Sequence, residues 1–196
     1  AGGIVLSSLL CGLMLALAHT QVRARAIADT LTEALRKSER FLKATLDGLS
    51  AHITVLDDRG EIILTNKAYR DFGARNGIEP STVAEGANYL AVCDTASGEH
   101  AAEAAPFAEG IREVLAGKRQ SFELEYPCHS PREERWFFAR VTPFRDEGAR
   151  QVIIAHENIT ERKQAEIALE EMSKALATSR DLLQQIIDTA PIRVFW

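Results

Sequence analysis

Cys128 and His129 stand together in a Tyr-Pro-Cys-His-Ser-Pro run, with Glu133 and Glu134 shortly after them. Thiolate, imidazole and carboxylate make a donor set for a soft metal ion or a redox centre. The same run reads more simply as a connector bracketed by Pro127 and Pro131, and no metal is expected there. Cys11, Cys93 and Cys128 are the three cysteines, widely spaced and with no Cys-x-x-Cys, so neither a disulfide framework nor a zinc ribbon is indicated. Covalent haem would need Cys-x-x-Cys-His, which is absent; a non-covalent haem would need an axial ligand, for which His100 is the candidate. There is no Gly-rich phosphate loop, no His-Glu-x-x-His and no nucleophile elbow. We expect no enzyme in these residues; any catalytic domain would follow Trp196.

The averages are those of a soluble globular protein: 196 residues, formal charge -5, 46% hydrophobic and 26% charged. They exclude a nucleic-acid binder driven by bulk positive charge, a disordered chain and a disulfide scaffold. They also hide a contrast, because residues 1–19 carry no Asp, Glu, Lys or Arg. About 20 such residues match a hydrocarbon core of roughly 30 Å. Arg23, Arg25, Arg36 and Lys37 follow, and flanking positive charge favours the cytoplasmic side. The expectation is a membrane helix over 1–20, cut at its start, with the rest in the cytoplasm. Residues 21–40 then form a connector helix, and Leu31, Leu35, Leu42 and Leu49 give the stretch 21–49 a weak apolar seam.

Strand patterning takes over at 52–57, followed by a turn at 58–60 and a second strand at 61–65. Asn66 opens a short helix to Phe72, 79–82 reads as loop, 88–94 as a helical turn and 99–118 as a helix. Three strands follow, at 121–126, 135–142 and 151–156, with Pro143 and Gly148 between the last two. Phe122, Leu124 and Tyr126 share one face of their strand. Two strands, a helical block and three strands make an α+β fold, one five-stranded antiparallel sheet with its helices on one side. From Ile159, with Thr160 as N-cap, a long helix places Ala165, Leu169, Met172, Leu176, Ser179, Leu183 and Ile186 at alternating spacings of four and three. That period predicts a parallel coiled coil over 161–188.

Residues 38–53 can be laid on residues 179–194 at constant offset, Leu42 over Leu183 and Asp47 over Asp188, each segment leaving a helix for a strand. Residues 189–196 thus read as the start of a second copy of one domain. The strand at Ile53, the turn Asp-Arg-Gly-Glu-Ile and Thr-Asn-Lys-Ala-Tyr resemble the opening of a PAS domain. Residues 135–166, ending Asn-Ile-Thr-Glu-Arg-Lys before a helix, resemble its C-terminal part, so 41–160 is identified as a PAS domain. The family's ending is usually Asp-Ile-Thr-Glu-Arg-Lys. Its Asp fixes the strand-to-helix junction with the Thr and a basic residue; here Asn158 can hydrogen-bond Thr160 but cannot form the ion pair with Arg162.

The resemblance implies a sensory and transmission module. Such domains cup a small ligand or cofactor between sheet and helices, dimerise through flanking helices and pass a change into the C-terminal helix. Asn66, Tyr89, Arg140 and His156 are the ligand-pocket candidates, and Asn158, Thr160 and Arg162 the transmission junction. Light-oxygen-voltage relatives carry Gly-x-Asn-Cys; here Gly86-Ala-Asn88 is followed by Tyr89, and the nearest thiol is Cys93, so a photo-adduct is not expected. No cofactor is the first expectation, with haem or flavin as alternatives. A non-sensing dimerisation spacer is another. The implied setting is the bacterial inner membrane, as the input half of a sensor histidine kinase or diguanylate cyclase. Expected partners are a second copy through the flanking helices and a small molecule, with no nucleic acid.

Overall fold

The structure, a computed structural model, describes residues 2–96, 102–130, 133–146 and 148–189, and the side chains of these except 2–11, 13, 15–16, 145–146 and 149. It divides into residues 1–49 and residues 50–196. The first unit is one unbroken helix, α1 (Gly2–Asp47). Among the described residues no helix is long and apolar enough to cross a membrane. The expected span at 1–20 falls largely on positions whose side chains lie outside the described residues. His100 and residues 190–196, with most of the expected second copy, lie outside them too.

In the second unit the elements run β1 (His52–Leu56), β2 (Ile62–Thr65), α2 (Lys67–Arg75), α3 (Pro80–Val83), α4 (Tyr89–Thr95), α5 (Ala104–Leu115), β3 (Phe122–Pro127), β4 (Trp136–Asp146), β5 (Ala149–Asn158) and α6 (Thr160–Thr189). The strands form one antiparallel sheet in the order β2-β1-β5-β4-β3. Asp57 closes the first hairpin, its Oδ1 accepting from the N–H of Arg59 at 2.9 Å and of Glu61 at 2.8 Å. Gly60 in that turn has φ +81, and a Cβ there would meet Leu90 Cδ1 at 2.5 Å, so α4 can close over the hairpin only against a glycine.

The core lies between the sheet and the helices. Leu56, Val141, Val152 and Ile154 face Leu90, Phe107, Ile111 and Val114, and all are buried. α5 packs tightly on the strand after it, because a Cβ on Gly110 would fall 2.5 Å from the Phe122 ring.

Several expected boundaries move. Against the loop expected at 79–82, Pro80–Val83 form the single turn α3, with Pro80 at its start, where the missing N–H costs no helical bond. α5 is shorter than the helix expected at 99–118; residues 97–101 are outside the described ones, and Gly117 with φ +72 ends it. β4 runs through Pro143, which was expected to stop it. β3 pairs only as far as Phe122 with Val141, so beyond Val141 that side of β4 is a free edge. A proline there forfeits no ladder bond, and Pro143 pairs with Val152 of β5 on the other side.

Candidate functional site

β5 brings His156 to the inner face of the sheet, opposite His52 of β1 and Ala139 of β4. Two phenols meet its ring. Tyr126, carried inward by β3 with Phe122 and Leu124, has its Oη 2.8 Å from Nδ1. Tyr89, first residue of α4, has its Oη 3.3 Å from Nε2. It is set there by Asn88, whose Oδ1 caps α4 by accepting from the Ala91 N–H at 2.8 Å. These three side chains line a cavity of about 200 Å³ between the sheet and α2 to α4. Tyr69 lines it as well, so all three tyrosines of the chain converge there. No Asp, Glu, Lys or Arg is among its lining residues.

The cavity keeps its titratable groups neutral. Burial, helped by His52, pulls His156 down to about 3. Burial holds the phenols of Tyr89 and Tyr126 well above the usual range. Tyr69 is pushed up to about 12, again by burial, the nearby Thr54 hydroxyl working the other way. The Cys93 thiol, also in the lining, is raised to about 11 by burial and then by Asp94, so it is no thiolate nucleophile at neutral pH. Thr54 Oγ1 itself is buried without a hydrogen bond of ordinary geometry.

A second, polar cleft of about 540 Å³ lies alongside, lined by Arg75, Asn76, Glu133, Arg135 and Asn158. The rings of His52, Phe72 and Phe137 line both spaces, with centroids 4.6–5.4 Å apart. Arg135 stacks over Phe72 at 5.3 Å and donates from Nη2 to Asn76 Oδ1 at 2.8 Å. His52 is lowered by burial first, then by Arg75 and Arg135.

Of the four pocket candidates, Tyr89 and His156 line the cavity and two do not. Asn66 is fully buried but serves the backbone. Its Oδ1 accepts from the N–H of Ile53 at 2.9 Å and of Tyr69 at 3.0 Å, and its Nδ2 donates to the Ala51 carbonyl at 2.8 Å. Arg140 points away from the helices. It pairs with Glu123 at 2.8 Å, its guanidinium 5.4 Å from the centroid of the Phe138 ring, with about half of its side chain exposed. Inward places on β4 belong to Phe137, Ala139 and Val141. Tyr126, Tyr69 and His52 were missed; the inward parity of Tyr126 with Phe122 and Leu124 was the available signal. His129 accepts the Arg135 N–H at its Nδ1, 3.1 Å away, and sets its ring edge-on to Trp136. Burial raises the Cys128 thiol. Among the described residues no group of three or more His, Cys, Asp or Glu is placed to hold a metal ion.

At the end of β5, Asn158 Oδ1 accepts from both the N–H and the hydroxyl of Thr160, at 3.0 and 2.6 Å. Thr160 is thus the first helical residue and not the cap; the cap is the Asn158 side chain. Its Oγ1 also accepts from the Trp136 N–H at 3.1 Å. Arg162 pairs with Glu125 of β3 at 2.5 Å, and Lys163 with the same carboxylate at 2.6 Å. The two cations hold Glu125 below the usual carboxylate range, Lys163 first and Arg162 next.

A family profile described as a PAS fold matches residues 46–164, more than half of the chain. The chain belongs to the PAS family. An "uncharacterized 104.1 kDa protein in hypE 3'region" of Rhodobacter capsulatus is 41% identical over 127 residues, which are 62% of this chain and 13% of that protein. Among solved structures, the PAS domain of Bordetella pertussis BvgS is 20% identical, covering 71% of this chain and 98% of that one, with a TM-score of 0.48. The PAS domain of an HTR-like protein from Haloarcula marismortui is 18% identical, covering 67% and 99%, with a TM-score of 0.46.

As a PAS domain it is a sensory module. An apolar cavity of ~150 Å³ holds one benzene ring, so about 200 Å³ in this conformation fits neither a porphyrin nor the three fused rings of a flavin. Both imidazole nitrogens of His156 are engaged by phenols, leaving no free donor for an iron. Glu125 on the edge strand β3, two strands from β5, supplies the carboxylate for Arg162 and Lys163 that Asn158 cannot.

Proposed function

We propose that this chain is the sensory and transmission segment of a membrane-anchored bacterial receptor. Its PAS domain receives a small ligand in the Tyr89–His156 cavity, and α6 carries the change to an output domain of the histidine kinase or diguanylate cyclase type beyond Trp196. The observation that carries the reading is the seam of α6. Leu169, Met172, Leu176, Leu183 and Ile186 are each more than half exposed at the four-and-three spacing, on a helix that begins where the cavity strand β5 ends. Such a seam is satisfied by a second copy of the same helix in parallel register. A packed coiled coil with two discrete arrangements is the element a ligand can bias.

The uncharged residues at the start of α1, the arginines that follow and the unbroken helix from Gly2 to Asp47 support an anchor joined directly to the connector, with the PAS domain in the cytoplasm. The Rhodobacter capsulatus relative supports the bacterial setting. The test is sedimentation of the full chain in detergent, wild type against a Met172→Asp, Leu176→Asp double variant. The reading requires a dimer that the double variant turns into a monomer with unchanged near-UV circular dichroism. A monomeric wild type, or a dimer indifferent to the substitutions, overturns it.

A further inference from the structure

Two phenols and one neutral imidazole carry three polar protons, and two hydrogen bonds join them. In the Tyr89–His156–Tyr126 chain the ring has one N–H and one lone pair, so one phenol donates to it and the other accepts from it. Those two contacts use two protons. The third, on the accepting phenol, has no acceptor within the chain whichever ring nitrogen bears the hydrogen. Neither phenol has another hydrogen-bond partner among the described residues. Both line the same cavity, and buried donors are seldom left without an acceptor.

Size and charge narrow what can supply that acceptor. The space of about 200 Å³ is somewhat larger than the ~150 Å³ that holds benzene, which allows one ring with a short substituent. Its walls include Phe72, Phe137 and the tyrosines, which suit an aromatic guest edge-on or offset. A carboxylate or an ammonium inside would be buried without a counter-ion. The nearby guanidinium groups of Arg75 and Arg135 open into the other cleft, beyond the rings of His52, Phe72 and Phe137.

We propose that the cavity takes a small, uncharged, single-ring compound bearing one hydrogen-bond acceptor, held by the left-over phenolic proton of the Tyr89–His156–Tyr126 chain. This rests on the cavity being the ligand site of the sensory module, and it adds the chemistry of the ligand.

The test uses the full chain at neutral pH and three probes of one ring size: acetophenone, ethylbenzene and benzoate, followed by calorimetry and by ligand-observed NMR. Acetophenone should bind roughly three- to tenfold more tightly than ethylbenzene, the worth of one net hydrogen bond. Benzoate should show no binding where acetophenone saturates. The triple variant Tyr89→Phe, His156→Phe, Tyr126→Phe, which strips every polar proton from that chain, should bring the acetophenone-to-ethylbenzene ratio to about one. Either single Tyr→Phe variant still leaves one proton over and should keep the preference. Equal binding of acetophenone and ethylbenzene, binding of benzoate, no binding of any probe, or a preference kept by the triple variant overturns the proposal. Thermal unfolding of each variant shows whether it is folded, and the probe series on the wild type decides the matter without the variants. Failure of the probes leaves the dimer test of α6 untouched, whereas a monomeric chain that still prefers acetophenone refutes the transmission reading and keeps the ligand chemistry.

Discussion

Acidification from pH 7 to pH 5 should destabilise this domain through His156. In the unfolded chain the imidazole has a pKa of about 6.5, whereas in the folded cavity burial and His52 hold it at about 3. Between those values the unfolded state binds the extra proton and the native state does not. The stability contribution is therefore complete above about pH 6.5 and is lost as pH falls towards 3. Each unit of pH in that window costs about 1.4 kcal/mol, so moving from pH 7 to pH 5 should cost about 2 kcal/mol, a large part of a typical domain stability. His52 is also lowered and adds to the trend in the same direction. Urea denaturation at the two pH values, followed by near-UV circular dichroism of the three cavity tyrosines, measures the loss. His156→Gln keeps an amide donor and acceptor but cannot titrate, so it should lack the 2 kcal/mol increment while retaining the smaller share from His52. The ion-paired Glu125 has its carboxyl held below the usual range, so it stays charged over this interval in both proteins. Equal losses in wild type and variant would falsify the assignment of a neutral, buried imidazole.

Three substitutions probe the supports of the cavity and the junction. Asn66→Ala strips partners from the N–H of Ile53 and Tyr69 and from the Ala51 carbonyl, and removes the α2 cap. It should cost roughly 3 kcal/mol in denaturant titrations, and a loss under 1 kcal/mol would show the staple to be dispensable. Thr54→Val replaces a buried hydroxyl that lacks a proper partner with a methyl group. A gain of about 1 kcal/mol and a Tm higher by a few degrees are expected, and a lower Tm would mean that the contact with Tyr69 matters. Asn158→Ala removes the acceptor of two Thr160 protons. It should cost about 1 kcal/mol and speed amide exchange in the first turn of α6, with exchange in β1 and β2 unchanged.

Most elements were legible because their periods are strong, and the departures have local causes. Period two marked Phe122, Leu124 and Tyr126 as one face. Nothing in the sequence tied that face to a histidine thirty positions on, since the link is a register between β3, β4 and β5. For Arg140 the parity was visible and its sense was not. Aromatic residues occupy both faces of β4, and only the burial of Phe137, Ala139 and Val141 shows which is inside. Asn66 was recognisable as the opening residue of a helix, which it is. Its longer reach, to Ile53 and Ala51, depends on β1 lying beside the start of α2. Proline misled at both of its informative places, for it starts α3 and occupies the free edge of β4.

The junction shows how a missing charge can be replaced without restoring the residue. Asn158 keeps the hydrogen bonds of the cap, and the ion pair passes to Glu125. That transfer changes what α6 is attached to. Through Asn158 it hangs from β5, two residues beyond His156; through Arg162 and Lys163 it is tied to β3, at the residue before Tyr126. Neighbouring residues on a strand face opposite ways, so Glu125 reaches the helix from the outer face of the sheet while Tyr126 reaches the cavity from the inner one. His156 and Tyr126 are themselves bonded at 2.8 Å. A displacement of that one pair is therefore shared by both attachments of the helix. Exposed ion pairs like those of Glu125 add little to stability, and their consequence here is geometric: they give α6 a second point of support on a strand that carries part of the cavity wall.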